Sequence, residues 1–245
     1  MNIALLGYGR MGLDVEQTAT ELGHSITARF TSHHQLPRTG AVSPELTGVD
    51  CCIDFSTAAA AIEHIQIIAP LHIPLVVGTT GWHDHLSRLS EFVVQQRGTL
   101  FHASNFSVGA HIFSHAVAAT SELMNRFTEY DIAVHEVHHR LKKDAPSGTA
   151  LTLARRILDR VERKTAIVST VNGAQIQPHE LLVTSSRVGS AAGTHSVLFD
   201  SPLDSLQLVH TAHNRRGFAI GAVRAAEWVC GRTGVFTMDD FLFTK

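Results

Sequence analysis

Met1-Asn-Ile3-Ala-Leu5-Leu6-Gly7-Tyr8-Gly9-Arg10-Met11-Gly12 opens the chain and announces a strand, a tight turn and a helix in that order. The apolar run Ile3–Leu6 is short enough for a buried strand. The three glycines that follow have the G-x-G-x-x-G spacing of a dinucleotide loop, in the strand-then-helix context that such a loop needs. Gly7 permits the turn, Gly9 lets a pyrophosphate approach the backbone, and Gly12 lets the helix pack closely on its strand. The amides at the helix start then face an anion. Gly7, Tyr8, Gly9, Arg10, Met11 and Gly12 are therefore the first candidate cofactor contacts.

The pattern continues outward from this loop. Met11–Leu22 is amphipathic, Gly23 ends it, and Ser25–Phe30 reads as a second strand. Cys51–Phe55, Pro74–Val77 and Thr99–Ala103 are three more short apolar runs, with helical stretches Ala58–Ala69 and His83–Arg97 between them. Such alternation predicts a doubly wound parallel sheet of Rossmann type, an α/β fold whose ligands sit beyond the carboxyl ends of the strands. Four polar or glycine-rich motifs fall at those ends: Gly7–Gly12, Phe55-Ser56, Gly78-Thr79-Thr80-Gly81 and Ala103-Ser104-Asn105-Phe106. After residue 107 the pattern changes. A helix over Val108–Met124 and an alternating strand over Tyr130–His138 come first, then a helix over Gly148–Arg163. Strand-like runs at Ala166–Val171, Leu181–Val188, Thr194–Phe199 and Ser205–Ala212 follow, and a last helix covers Phe218–Val229. Strands bunched in this way predict a second, α+β domain with a mixed or antiparallel sheet.

The chemistry concentrates in Glu136-Val-His138-His139-Arg-Leu-Lys142-Lys143-Asp144-Ala-Pro146-Ser147-Gly148-Thr149-Ala150. Imidazoles and ammoniums exchange protons near neutral pH once their surroundings tune them. The Pro-Ser-Gly-Thr turn opens a helix, whose free amides favour an anion, and Ser147 is suited to cap it. One short segment thus offers proton donors beside a carboxylate cradle at Gly148 and Thr149. Asp144 is expected to order the loop or pair with a lysine, and Lys143 to be an ordinary exposed lysine.

These segments, with Ile53-Asp-Phe-Ser56, Ser104-Asn-Phe-Ser-Val-Gly109 and Phe218-Ala-Ile-Gly-Ala-Val-Arg224, closely resemble the 4-hydroxy-tetrahydrodipicolinate (dihydrodipicolinate) reductase family over nearly the whole length. The resemblance implies an NAD(P)H-dependent oxidoreductase of the diaminopimelate route to lysine, acting on a small cyclic dicarboxylate. It assigns His138 and Lys142 to proton transfer, and His139, Gly148 and Thr149 to holding the substrate. Gly78, Thr79, Thr80, Ala103, Ser104, Asn105 and Phe106 become cofactor contacts: the two Thr hydroxyls near the nicotinamide ribose or ring, Asn105 near its carboxamide, Phe106 as a wall. It also implies that the C-terminal segment returns to the first domain. The dinucleotide-binding domain would then be residues 1–107 and 216–245, and the substrate-binding and oligomerisation domain 108–215. A homotetramer built through the second domain's sheet is implied as well. Arg215 aligns with a family arginine to which no role is assigned, and His213 is as consistent with structure as with function.

One departure bears on the cofactor. The second strand ends Ala28-Arg29-Phe30-Thr31-Ser32-His33-His34, where family members commonly carry an acid for the adenosine ribose. The segment after it is also short, which trims the rim of an adenosine pocket. Arg29, a base in place of an acid, favours a 2′-phosphate, so NADPH is expected over NADH.

Composition bounds the rest. Lys plus Arg is 20 and Asp plus Glu is 22, so no basic surplus points to nucleic acid. The apolar runs are strand-sized, too short to span a bilayer, and no signal core precedes the first strand, so a cytoplasmic location is expected. The 17 histidines lack the spacing of a metal motif, and no metal is expected; most should be solvated on the surface. Cys51, Cys52 and Cys230 read as reduced, buried thiols. Two rivals remain: a non-catalytic NAD(P)H sensor, which needs no proton donors, and a semialdehyde dehydrogenase, which needs a nucleophilic cysteine.

Overall fold

The computed structural model describes residues 1–37, 43–171, 173 and 175–243, which divide into two compact units. One is formed by Met1–Val108 with Arg215–Lys245, the other by Gly109–Asn214.

The first unit is a six-stranded parallel sheet. Its strands are β1 (Asn2–Leu6), β2 (Ser25–Phe30), β3 (Cys51–Asp54), β4 (Leu75–Val77), β5 (Thr99–His102) and, near the C-terminus, β11 (Gly234–Phe236). They lie in the order β11-β5-β4-β3-β1-β2. The chain steps from β1 outward to β2 and then back past β1 to β3, so the order reverses between β1 and β3. Ligands of such sheets bind at that reversal. Alternate residues of the central strands feed two separate cores, as a pleated strand requires. Ala4, Leu6, Cys52, Leu75, Val77 and Leu100 join the cluster of α2 (Ala58–Ile68) and α3 (Leu86–Gln95). Ile3, Leu5, Cys51, Ile53, Val76 and Phe101 face α1 (Arg10–Glu21), α6 (Arg216–Val229) and α7 (Met238–Phe243). Burial on both faces explains why these strands read as unbroken apolar runs. β11 and α7 were not expected from the sequence, and they add an edge strand beside β5.

The second unit has a five-stranded mixed sheet of β6 (Asp131–His138), β7 (Ala166–Val168), β8 (Glu180–Arg187), β9 (Thr194–Asp200) and β10 (Ser205–Thr211), in the order β10-β9-β6-β8-β7. β6 pairs parallel with β8 and antiparallel with β9. Two helices, α4 (Val108–Met124) and α5 (Gly148–Leu158), cover one face. Phe113, Val117, Ala150, Leu153 and Ile157 pack there on Ile132, Val134, Leu181, Val183, Val197 and Phe199. The opposite face carries Ala133, Leu182 and Leu198 in register, and no described helix of this unit packs on it. Two elements are shorter than expected: α5 stops at Leu158 rather than Arg163, and β7 ends at Val168 rather than Val171. Among the described residues, no helix is long and apolar enough to cross a membrane.

Candidate functional site

In the first unit the glycine loop has the expected form. Gly7 has φ +92°, and a Cβ there would lie 2.5 Å from the Phe55 carbonyl; one on Gly12 would lie 2.5 Å from the Gly7 carbonyl. Gly9, the cap of α1, has open space beside it. No side chain caps that helix and no acid lies in its first turn, so its amides are left for an anion. These features fit a dinucleotide pyrophosphate. Tyr8 and Met11 are partly buried in the loop, and Arg10 is exposed.

Behind the rim, the fully buried Asp54 ends β3. Its Oδ1 accepts hydrogen bonds from Ser56 N (2.8 Å), Ser56 Oγ (2.7 Å) and Thr79 Oγ1 (2.7 Å), and its Oδ2 lies 2.6 Å from His64 Nδ1. This carboxylate ties the end of β3 to the loop after β4. Two cofactor expectations change as a result. Thr79 is buried and its hydroxyl serves Asp54 and Ser56 N, so only Thr80 of the pair is exposed. Phe106 is 1 % exposed and packs on Phe55 and Phe101, so its side chain lies in the core. Gly78 has a partner of its own: a Cβ there would lie 2.1 Å from the Phe55 ring. Ala103 is partly buried and Ser104 exposed, while Asn105 Oδ1 accepts from Ser107 N (2.8 Å). Arg29 is held by Glu16, with Nε 3.0 Å from Oε2, and its guanidinium lies over the Tyr8 ring, whose hydroxyl also bonds Glu16. The base that replaces the missing acid therefore carries an acid of its own, supplied by α1. Residues 38–42 of the short segment beyond β2 lie outside the described residues.

In the second unit, strand register assembles a cluster that no sequence spacing revealed. Glu136 and His138 share the helix-covered face of β6. Arg187 of β8 pairs with His138, and His195 of β9 pairs with Glu136. Glu136 is completely buried. Its Oε1 accepts from Ser185 Oγ (2.8 Å), Arg187 Nη2 (2.9 Å) and Ser147 N (3.0 Å). Burial alone would raise this carboxyl; the bonds from Ser147, Ser185 and Arg187 outweigh it and bring it down to about 2. Ser147 also caps α5, its Oγ accepting from Ala150 N at 3.2 Å. The next two amides, of Gly148 and Thr149, are the ones a helix start leaves without intrahelical partners. Gly148 is exposed, with open space where a Cβ would stand.

Lys142 lies in the loop between β6 and α5. Its Nζ bonds both oxygens of Asp144, at 2.8 and 2.9 Å, and the lysine holds that carboxyl below its usual range. Asp144 is thus the lysine partner that the sequence suggested, and Lys143 is exposed. His139 is partly buried and its carbonyl accepts from Lys142 N. His213 and Arg215 are exposed.

Glu136, His138 and His195 bring ligand-type atoms within 4.8 Å of one another. The Arg187 guanidinium, 2.9 Å from Glu136 Oε1, already sets a positive charge at this carboxylate. The surface expectation for histidine needs correction. Only His33, His34, His72, His83, His85, His179 and His213 are exposed, because the others pack in crevices or networks such as these. The cysteines are free; Cys51 and Cys52 are buried as expected, whereas Cys230 is half-buried. Burial pushes the Cys52 thiol up, and the adjacent Cys230 together with burial does the same to Cys51. Neither is the activated thiolate that a semialdehyde dehydrogenase requires.

The cluster is expected to make this unit acid-labile. Burial holds His195 down at about 4, so from about pH 6.5 downward the unfolded chain takes up a proton that the native state refuses until pH 4. Glu136 contributes stability above pH 4.5 that is lost as the pH falls toward 2. Each shift is worth on the order of 3 kcal/mol. The urea midpoint should fall steadily from pH 7 to pH 4, and His195→Gln should flatten that decline. An equally steep decline in the variant would refute the linkage.

A parallel sheet with a glycine loop, and a second unit whose mixed sheet holds a buried acid–imidazole cluster, fit a nicotinamide-dependent oxidoreductase of two units. Comparison with known proteins narrows this class. Family models described as dihydrodipicolinate reductase, N-terminus and C-terminus, match residues 1–106 and 109–242. The 4-hydroxy-tetrahydrodipicolinate reductase of Christiangramia forsetii is 36% identical over 99% of this chain and 98% of its own length. That of Archaeoglobus fulgidus is 34% identical over 99% of this chain and 100% of its own. The chain belongs to the dihydrodipicolinate reductase family. Its fold also matches dipicolinate-bound dihydrodipicolinate reductase from Paenisporosarcina sp. TG-14, with a TM-score of 0.79 at 21% identity over 99% of both chains.

Proposed function

We propose that this enzyme reduces 4-hydroxy-tetrahydrodipicolinate to tetrahydrodipicolinate with NAD(P)H, in the cytoplasmic route through diaminopimelate to lysine. The carrying observation is the end of β6: two imidazoles and an anionic carboxylate beside a capped helix start, in a chain that both halves of the family model match. Gly148 and Thr149 hold a substrate carboxylate at the start of α5, with Gly148 open to close approach, and His139 helps hold the substrate. His138 and Lys142 move the protons of the reaction. The nicotinamide supplies the hydride when bound. The Gly7–Gly12 loop takes the pyrophosphate, with Tyr8, Arg10 and Met11 lining it. Gly78, Thr80, Ala103, Ser104 and Asn105 border the nicotinamide end, with Thr79 holding their loop in place.

Arg29 supports NADPH over NADH, and Glu16 limits that preference because the guanidinium is already paired. NADPH oxidation with freshly generated substrate tests both statements. Substrate-dependent turnover is expected with either cofactor, with a several-fold advantage for NADPH in kcat/KM that Arg29→Ala removes. No turnover with either cofactor would defeat the reading, and a large NADH advantage would defeat the cofactor assignment. A homotetramer is proposed through the helix-free face of the second sheet, where Leu198 and Val209 are 36% and 54% exposed.

A further inference from the structure

Glu136 has one satisfied oxygen and one that is not. Oε1 accepts three donors, whereas the buried Oε2 accepts none. Two ring nitrogens face Oε2: His138 Nδ1 at 3.3 Å and His195 Nε2 at 3.4 Å. The two rings differ in what else they touch. His195 Nε2 is also 3.2 Å from the Ser147 hydroxyl, while His138 Nδ1 is buried with no other partner. A buried polar atom without a partner costs about 1–3 kcal/mol, and here two such atoms face each other. A lone pair on Nδ1 would repel the carboxylate, whereas a proton there satisfies both atoms. The contact is slightly longer than a good hydrogen bond, as catalytic contacts often are before substrate arrives. On the far side of the ring, Nε2 faces Gly193, where a Cβ would come within 3.0 Å of it. The absence of a side chain there keeps that nitrogen open.

We propose that Glu136 is the positioning residue of the reaction: it holds His138 as the Nδ1–H tautomer and so presents Nε2 to the substrate, with Gly193 leaving the approach clear. The proposal rests on the proton-transfer role given to His138 above. A carboxylate behind an imidazole both orients the ring and stabilises its charged form. The charged and titratable groups facing His138 come from several elements: Glu136 on its own strand, Lys142 and Asp144 from the following loop, Arg187 from β8 and His195 from β9. Burial, Lys142 and Arg187 push the imidazole down, while Glu136 and Asp144 push it up. Glu136 is the closest of these counter-charges to be fully buried.

Nitrogen NMR of the histidines in the wild-type enzyme reads the tautomer directly, without substrate. The Nδ1–H form of His138 is expected, and an Nε2–H form would overturn the proposal whatever the substrate proves to be. In Glu136→Gln, kcat should fall by about 100-fold or more with KM values for substrate and NADPH within about threefold. The limb of the kcat–pH profile that belongs to His138 should move to lower pH, and Glu136→Asp should move it back. A lower kcat with an unmoved limb would make Glu136 a scaffold only. Wild-type enzyme inert toward the substrate but showing the Nδ1–H tautomer would sink the proposed function and leave the geometry of the pair standing.

Discussion

Replacing Lys142 with alanine is expected to lower kcat by about 10²- to 10⁴-fold, the usual worth of a general acid, while the dissociation constant for NADPH changes less than about twofold. The Lys142 side chain is 23% exposed and pairs at 2.8 Å with that of Asp144, which is 56% exposed, in the loop between β6 and α5. A pair so exposed contributes little to folding, so loss of turnover cannot be charged to unfolding. Stopped-flow measurement of NADPH oxidation, set beside a fluorescence titration of NADPH, separates chemistry from cofactor binding. A variant that turns over at the wild-type rate would remove Lys142 from the mechanism.

The second large effect concerns folding. Gly221→Ala should destabilise the enzyme by about 3 kcal/mol or more, a sizeable share of the roughly 5–15 kcal/mol that a folded domain has. A Cβ on Gly221 would lie 1.8 Å from the Phe106 carbonyl oxygen and 3.3 Å from Phe106 Cβ. α6 would have to lift away, and Phe106 is itself wedged against Phe55 and Phe101. Gly217, on the same helix, is the control: nothing lies within 4 Å of its Cβ position. There alanine should be neutral or stabilise by up to about 1 kcal/mol, because glycine is the poorer helix former. Chemical denaturation of the two variants side by side checks the contrast. Similar midpoints would mean that α6 does not pack as tightly as described.

Much of the first unit was legible because its physics is local. Strands buried on both faces are continuous apolar runs, and glycine-rich or polar motifs follow them. β11, Gly234–Phe236, escaped notice because only two apolar residues, Val235 and Phe236, follow its glycine. The second unit's site was half legible. His138, Lys142 and Ser147 stand in one recognisable string, whereas Arg187 and His195 come from strands that only pairing brings alongside β6. Glu136 did leave a trace: Ile132, Val134, Glu136 and His138 occupy the inward positions of an alternating strand, so a charge sits where an apolar residue belongs. Thr79 and Phe106 mislead in the other direction. Their place in a rim motif says nothing about which way the side chain turns, and both turn inward.

α6 and β11 carry one more consequence. The sheet of the first unit needs β11 at its edge and α6 against one face, yet both follow residue 214 in the chain. During synthesis the segment 109–214 therefore leaves the ribosome whole while the first unit is still missing a helix and a strand. The half whose translation begins first is thus the half whose last pieces are made last.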